Sequence, residues 1–243
     1  SSKTSSPTSA LAIASRMAGV GSVFVSLLSS TIRINGTPFD LLNMILAIGL
    51  VKDHSVSYHA RTMMRHTAIG IYSTGKIMLD GVMSSPGDAS KVPSIVLCHP
   101  HPMLGGDMNN VIVSTIAFEA SQRGIGSLRF DFRGVGQSEG EFTNAEGVSE
   151  DLKHALSFTR NFTGVDDKRV GIVGYSFGAA TMLHNLKYTK GAKSLVFIAP
   201  PMGAVRKSSI RDDKRAKLFI VGSEDRVVPS LDLQRELDNF KHP

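Results

Sequence analysis

The chain has 243 residues, of which 42% are hydrophobic and 20% are charged, as in an ordinary globular protein. This composition excludes a fibrous or wholly disordered chain, and a single cysteine excludes a small scaffold held by disulfides. Lysine and arginine number 27 against 21 acidic residues, so the net charge is +6, which favours anionic partners without indicating nucleic acid.

Residues 1–62 form a predicted extension ahead of a core at 63–243. No acidic residue occurs before Asp40, and the same stretch is rich in serine and carries Lys3, Arg16 and Arg33. Such a composition is typical of organelle transit peptides and predicts a mitochondrial protein, with a cytoplasmic location as the alternative. A secretory signal is less consistent with the pattern, because Arg16 interrupts the apolar run.

Two apolar segments of this extension, Met17–Ile32 and Leu41–Val51, contain no charged residue. Both are shorter than the roughly 20 residues that a membrane-spanning helix needs. We therefore expect two helices that pack on the core or dock on a partner protein, and no membrane span.

From about residue 67 onward, short strands alternate with helices. Two strands, at 68–72 and 77–83, are separated by Thr74-Gly75, which predicts a hairpin. The remaining expected strands are 94–98, 126–132, 169–173, 194–199 and 217–221, and the expected helices are 110–123, 145–161, 177–187 and 231–240. Continuous apolar strands that alternate with helices predict an α/β fold with a mostly parallel sheet, covered by helices on both faces.

The run Gly174-Tyr175-Ser176-Phe177-Gly178 lies between a predicted strand and a predicted helix. A Gly-x-Ser-x-Gly pattern in this context is typical of a nucleophile elbow, a turn so tight that side chains beside the serine must be nearly absent. The Ser176 hydroxyl would then project above the sheet edge at a helix N-terminus, which makes it the candidate nucleophile. A glycine-rich turn with an incidental serine is the alternative.

The run Cys98-His99-Pro100-His101-Pro102 follows the strand at 94–98. In elbow-type hydrolases a loop in this position supplies a backbone N–H to the oxyanion hole. Because proline has no N–H, we favour the amide of His101, paired with that of Phe177. Metal binding by the two histidines is the rival interpretation, but no acidic or thiolate residue stands at zinc-site spacing. No metal or organic cofactor is expected.

A third candidate, Asp225, follows the strand at 217–221. In this architecture the triad acid lies at the end of a strand that follows the nucleophile strand, which is the position of Asp225. The neighbouring Glu224 is one residue out of register. A charged turn ahead of a helix is the alternative interpretation.

Four motifs in this order, Cys98–Gly106, Leu128–Ser138, Gly174–Gly178 and Gly222–Pro229, resemble the α/β-hydrolase superfamily. The likeness is to its small dienelactone-hydrolase-like esterases with a Cys-His-Pro-His-Pro…Gly-Gly loop, and it covers residues 67–241. It implies a serine hydrolase that acts on a small ester or thioester. In the second motif, Asp131 and Arg133 are expected to tie loops together.

The superfamily order of triad residues is serine, acid, histidine, with the histidine after one further strand. Only 18 residues follow Asp225, so we expect the final strand and the triad histidine to be missing from this sequence. His242 comes one strand too early. A second hypothesis is therefore a catalytically impaired hydrolase fold that serves as a structural or assembly subunit of a mitochondrial complex, docked through residues 1–62.

A basic segment precedes and enters the last predicted strand. Its cations are Arg206, Lys207, Arg211, Lys214, Arg215 and Lys217. A solvated surface loop is the ordinary interpretation of such a run. The alternative is contact with RNA or another acidic partner, because clustered cations neutralise phosphates without reading bases.

Overall fold

The computed structural model describes residues 22–27, 30–35, 64–86, 91–142 and 145–241. Most of the transit-like segment, the predicted docking helix at 41–51 and His242 lie outside the described residues. No helix in the described ranges is long and apolar enough to cross a membrane.

The described residues form one sheet of nine strands, in the order β2-β1-β9-β8-β7-β5-β6-β4-β3. Five strands, β5 to β9, run parallel to one another, while β1–β2 and β3–β4 are antiparallel pairs at the two edges. The bounds are β1 Ser22–Leu27, β2 Ser30–Asn35, β3 Met64–Tyr72, β4 Met78–Pro86, β5 Val92–Cys98, β6 Gly126–Phe130, β7 Val165–Tyr175, β8 Ser194–Ile198 and β9 Ala216–Gly222.

Five helices connect the strands in the described ranges: α1 Val111–Gln122, α2 Ala145–Asn161, α3 Phe177–His184, α4 Met202–Lys207 and α5 Ser230–Leu237. Ile116 and Ala120 of α1 pack into the apolar layer on one face of the sheet. The other four helices contribute to the layer on the opposite face, where the largest buried side chains include Phe130, Phe197 and Phe219. This arrangement confirms the predicted fold class of a mostly parallel sheet covered on both faces.

A buried ion pair joins three of these elements. Arg133, after β6, donates from Nη2 to Oδ1 of Asp151 on α2 (2.7 Å) and from Nε to Oδ2 (3.0 Å). Ser73, in the turn between β3 and β4, donates from Oγ to the same Oδ1 atom (2.6 Å). The carboxylate of Asp151 is fully buried, so its charge is balanced by these donors rather than by water. Arg133 therefore ties the hairpin, the loop after β6 and α2 together, as predicted.

The helix expected over 17–32 is wrong where the structure describes it, because residues 22–27 and 30–35 are strands β1 and β2. β1 pairs antiparallel with β9 and extends the sheet at that edge. The sequence of these strands explains the difference: Val23, Val25, Ile32 and Ile34 are β-branched residues at alternate positions, which favours strands over helix.

Two helix boundaries differ from the prediction by several residues. The last helix, expected over 231–240, ends three residues earlier at Leu237. The helix expected to run to residue 187 ends at His184, and a separate 3₁₀ turn, Leu186–Thr189, follows it. Asn185 between them has φ −136° and ψ 57°, which breaks the α-helical path. The short helix α4 was not predicted.

Candidate active site

Ser176 occupies the sharp turn between β7 and α3. Its backbone has φ 52° and ψ −104°, a conformation that residues with a Cβ rarely adopt. The turn is held on both sides, because the Ser176 N–H donates to the Ile198 carbonyl (2.8 Å) and its carbonyl accepts from the Ala180 N–H (3.0 Å). Strain of this kind persists only where the surroundings impose it, as in a nucleophile elbow.

The elbow requires glycine at two positions, because a side chain at either one would clash with neighbouring backbone atoms. A Cβ on Gly174 would lie 2.6 Å from the backbone nitrogen of Ala179. A Cβ on Gly178 would clash with the carbonyl oxygen of Cys98, at the end of β5. Only glycine allows the elbow to approach both the following helix and the neighbouring strand this closely.

The loop after β5 lies beside the elbow because β5 and β7 are neighbouring parallel strands, with Cys98 in register with Gly174. The ring of His101 packs edge to face on the ring of Phe177, with centroids 4.9 Å apart. Phe142, from the segment before α2, packs on both rings. The structure thus brings Ser176, His101 and Phe177 together. The contribution of Phe142 had no signal in the sequence.

The conformation of the His101 loop is fixed by its own hydrogen bonds. The carbonyl of His101 accepts from the N–H groups of Leu104 (3.0 Å) and Gly106 (3.1 Å), and its Nδ1 accepts from the N–H of Met103 (3.1 Å). Among the described residues, the N–H groups of His101 and Phe177 have no acceptor. Both amides are therefore free to donate to a ligand, and their role as oxyanion donors stays a prediction.

His99 is completely buried and both of its ring nitrogens are used. Its Nδ1 lies 2.7 Å from the Pro100 carbonyl and so carries the proton, while Nε2 accepts from the Phe132 N–H (3.2 Å). Burial lowers the pKa of His99 from 6.5 to about 4. Although Oδ1 of Asp131 is 3.9 Å from Nε2, the two groups do not form an ion pair, because the imidazole is neutral.

Neither histidine of the loop is placed to take a proton from Ser176. In each ring the nitrogen that could accept a proton already accepts a backbone N–H, at Nε2 of His99 and at Nδ1 of His101. Those nitrogens therefore have structural partners. The described residues provide a candidate nucleophile and two candidate oxyanion donors, and no imidazole among them bonds to Ser176.

Asp225 begins the turn that follows β9, two strands from β7 on the same sheet edge. Its Oδ1 accepts from the N–H groups of Val227 (2.8 Å) and Val228 (2.9 Å), which fixes the carboxylate in the turn. Within the described part of the chain, Oδ2 accepts no hydrogen bond. The second oxygen is therefore free to accept a hydrogen bond from another group, and the role of Asp225 as the acid that orients a histidine stays a prediction.

Asp131 ties two loops together at the end of β6. Its Oδ1 accepts from the Met108 N–H (2.7 Å), and its carbonyl accepts from Oγ of Ser138 (2.7 Å). Burial raises the pKa of Asp131 from 3.8 to about 6.

Cys98 is also buried, and desolvation raises the pKa of its thiol, so it is not an activated thiolate.

The basic segment is largely neutralised within the chain. Arg206 and Arg211 both approach Glu236, at 3.3 and 3.9 Å. Arg215 pairs with Asp213 (2.5 Å), and Lys217 is buried in β9, where burial lowers its pKa. The remaining two cations, Lys207 and Lys214, are exposed. Contact of this segment with RNA or an acidic partner stays a prediction.

A mostly parallel sheet with a strained serine after β7 and a histidine-proline loop after β5 defines the class of α/β serine hydrolases. Solved structures agree. An α/β serine hydrolase homologue from Coxiella burnetii is 30% identical with a TM-score of 0.62, and covers 74% of this chain and 85% of its own. An α/β serine hydrolase without lid from Xanthomonas campestris is 26% identical with a TM-score of 0.60, covering 73% and 80%.

The chain belongs to the family described as serine aminopeptidase, S33, whose model matches residues 105–241. Among curated proteins, the thiohydrolase aneE of Aspergillus aculeatus is 28% identical over 131 residues, which are 52% of this chain and 40% of that protein. The chain spans less than half the length of the first curated relatives that it matches. The dienelactone-hydrolase-like subtype remains a prediction.

Proposed function

We propose that this protein is a serine hydrolase that cleaves a small ester or thioester through Ser176. The strained backbone of Ser176 carries the proposal, because such a conformation presents a hydroxyl at the sheet edge beside two N–H groups without acceptors among the described residues. The likeness to a protein named as a thiohydrolase supports a thioester as one substrate class.

In the proposed reaction, Oγ of Ser176 attacks the substrate carbonyl carbon, and the carbonyl oxygen becomes an oxyanion. The N–H groups of His101 and Phe177 stabilise that charge. A histidine from outside the described residues takes the serine proton and passes it to the leaving alcohol or thiol, and Asp225 orients its ring. Water then attacks the acyl-enzyme, which releases the acid and restores Ser176. These steps use no metal or organic cofactor.

Exposed apolar side chains near the candidate site support a substrate with an apolar group. Met103 and Leu104, beside the oxyanion loop, are 78% and 88% exposed, and Val227, beside Asp225, is 85% exposed. All three lie at the carboxyl ends of the parallel strands, the end at which Ser176 stands. An acyl group bound at Ser176 would gain apolar contacts there.

A fluorophosphonate probe tests the nucleophile directly. We expect labelling of the full-length natural protein that is lost in Ser176→Ala and retained in Ser223→Ala, a serine at the same sheet edge. Absence of Ser176-dependent labelling would contradict the proposal and favour the alternative of an impaired hydrolase fold in an assembly.

Substrate class is tested separately with p-nitrophenyl acetate, an acetyl thioester and an aminoacyl-p-nitroanilide. Hydrolysis of the first two, dependent on Ser176, is expected. Hydrolysis of the anilide alone would replace the proposed ester or thioester with a peptide-type bond.

A further inference from the structure

A basic groove lies at the end of the sheet opposite Ser176. The cavity has a volume of about 730 Å³ and is formed by the C-terminal end of α2, the start of β7 and the 3₁₀ turn Leu186–Thr189. β7 runs from Val165, which lines the cavity, to Tyr175, which precedes the elbow. A strand of that length separates the two places by roughly 30 Å, so the groove is distinct from the candidate active site.

The lining of the groove is strongly cationic. Five cations face one acidic residue, Asp167, so this single cavity carries a net charge of +4 out of +6 for the whole chain. The cations are Lys91, Lys153, Arg160, Lys187 and Lys190.

Most of these charges are not neutralised. Arg160 lies 3.7 Å from Asp167, but within the described part of the chain none of the four lysines forms an ion pair. The basic segment after β8 differs, since its arginines pair with acidic residues. Gathering unpaired cations around one concave site concentrates a positive potential there, which attracts anions.

Tyr188 holds two of the ammonium groups close together. Nζ of Lys187 lies 4.8 Å from the ring centroid and Nζ of Lys153 lies 5.6 Å from it. The two lysines belong to different elements, Lys187 to the 3₁₀ turn and Lys153 to α2. Cation–π contacts with one ring therefore place both ammonium groups in the same part of the groove. Gly191 opposite leaves room for Arg160, because a Cβ there would lie 3.0 Å from Nη1 of the arginine.

The unpaired positive charge of the groove ends where a second cavity adjoins it. An adjoining cavity shares Lys187 and Lys190, but its other charged residues are Asp212, Asp213 and Arg215. A long polyanion leaving the first cavity in this direction would gain no further unpaired cation there, because Arg215 is paired with Asp213, and Asp212 is already paired with Lys241 (2.8 Å). The cationic part is therefore matched to a compact ligand, and its volume is that of an ordinary small-molecule site.

We propose that this groove binds a small oligophosphate, a ligand with two or more linked phosphate groups such as inorganic triphosphate or a nucleoside triphosphate. The four unpaired lysines supply charge-assisted hydrogen bonds to the phosphate oxygens, and the charge of the ligand offsets that of the lining. Inorganic triphosphate and a nucleoside triphosphate share the phosphate chain and differ in the nucleoside. The proposed binding uses the phosphate chain alone.

Isothermal titration of the full chain tests the proposal with inorganic triphosphate, ATP and a single-stranded RNA oligonucleotide. We expect both oligophosphates to bind, with affinity that falls as salt is raised. Lys187→Gln combined with Lys190→Gln is expected to lower the affinity at least tenfold. The matched control, Lys207→Gln combined with Lys214→Gln, removes the same charge from exposed positions outside the groove. It is expected to change the affinity less than twofold.

Three results would overturn the proposal: no binding of either oligophosphate, equal losses in the two double variants, or RNA binding tighter than triphosphate with the same dependence on Lys187 and Lys190. The last result would make the groove a nucleic-acid surface. Ser176→Ala is expected to leave triphosphate binding unchanged, so this test and the test of the proposed hydrolase can fail independently.

Discussion

The backbone N–H of Phe132 donates a hydrogen bond to Nε2 of His99 over 3.2 Å. This contact joins the end of β6 to the loop after β5, in the interior of the protein. Because Nδ1 of the ring already lies 2.7 Å from the Pro100 carbonyl, a second proton on the ring has to go to Nε2 and displaces the Phe132 N–H. Protonation of His99 therefore weakens the packing of the loop that carries the candidate oxyanion donor.

We predict that His99 makes the protein less stable in acid. The unfolded chain binds a proton at His99 below about pH 6.5, whereas burial lowers the pKa in the folded state to about 4. The stability that depends on neutral His99 is present above pH 6.5 and is lost as the pH falls toward 4. Urea unfolding between pH 7 and 4 measures this loss, which is expected to be smaller in a folded His99→Asn variant.

Asp131 is predicted to act in the opposite direction. Burial raises its pKa from 3.8 to about 6, so the folded state takes up this proton first, and the resulting stability is lost as the pH rises through 6. Asp131→Asn keeps an oxygen for the Met108 N–H but removes the titration. Stability of this variant should fall more steeply from pH 6 to 4 than that of the wild type. An unchanged slope would be inconsistent with the assigned pKa, and Asp232→Asn, at an exposed pair, is the control.

Gly178→Ala is predicted to destabilise the protein by about 1–3 kcal/mol, because its methyl group clashes with the Cys98 carbonyl and forces the elbow away from β5. Gly203→Ala is the matched control, since a Cβ at that position in α4 has no atom within 4 Å. Alanine there should raise stability by up to about 1 kcal/mol. Thermal and urea unfolding of both variants measure the difference. Equal effects would show that the close approach at Gly178 does not matter.

Asp151→Asn is predicted to cost about 3–5 kcal/mol of unfolding free energy, because it leaves the Arg133 guanidinium partly buried beside a neutral amide. Asp232→Asn removes a carboxylate from an exposed pair with Arg235 and should cost less than about 1 kcal/mol. Chemical denaturation of both variants at one pH and salt concentration provides the measurement. A cost at Asp151 no larger than that at Asp232 would argue against a structural role for the buried pair.

His101→Ala is predicted to lower kcat on the order of tenfold with little change in KM. The variant keeps the backbone N–H but loses the ring contacts and the Nδ1 acceptor that fix the loop, and a misplaced oxyanion donor affects the transition state more than the substrate. Steady-state hydrolysis of p-nitrophenyl acetate measures both kcat and KM. Met103→Ala is the control, since it retains the N–H that donates to His101. An equal loss in the control would assign the effect to apolar contacts at the site entrance.

Local sequence determined much of what was predicted correctly. The elbow is a strand, a tight turn and a helix within one short segment, and α2 has the bounds expected from its pattern, Ala145–Asn161. The roles of His99 and His101 needed the fold, because the N–H that selects the tautomer of His99 comes from Phe132, which follows another strand, β6. Likewise, Glu236 lies beyond β9, so the sequence of the basic segment did not show which cations it would neutralise. The groove escaped prediction because its lysines come from separate segments.

The pairing of Cys98 with Gly174 also has a consequence for how the protein reaches its native state. These residues are neighbours in the sheet but far apart along the chain, with the helices α1 and α2 and the strand β6 between them. Closing such a long loop is slow compared with forming the local β3–β4 hairpin. We therefore expect the candidate oxyanion hole to assemble after that hairpin. We expect a refolding chain to become able to react with an active-site probe only when these central strands have paired.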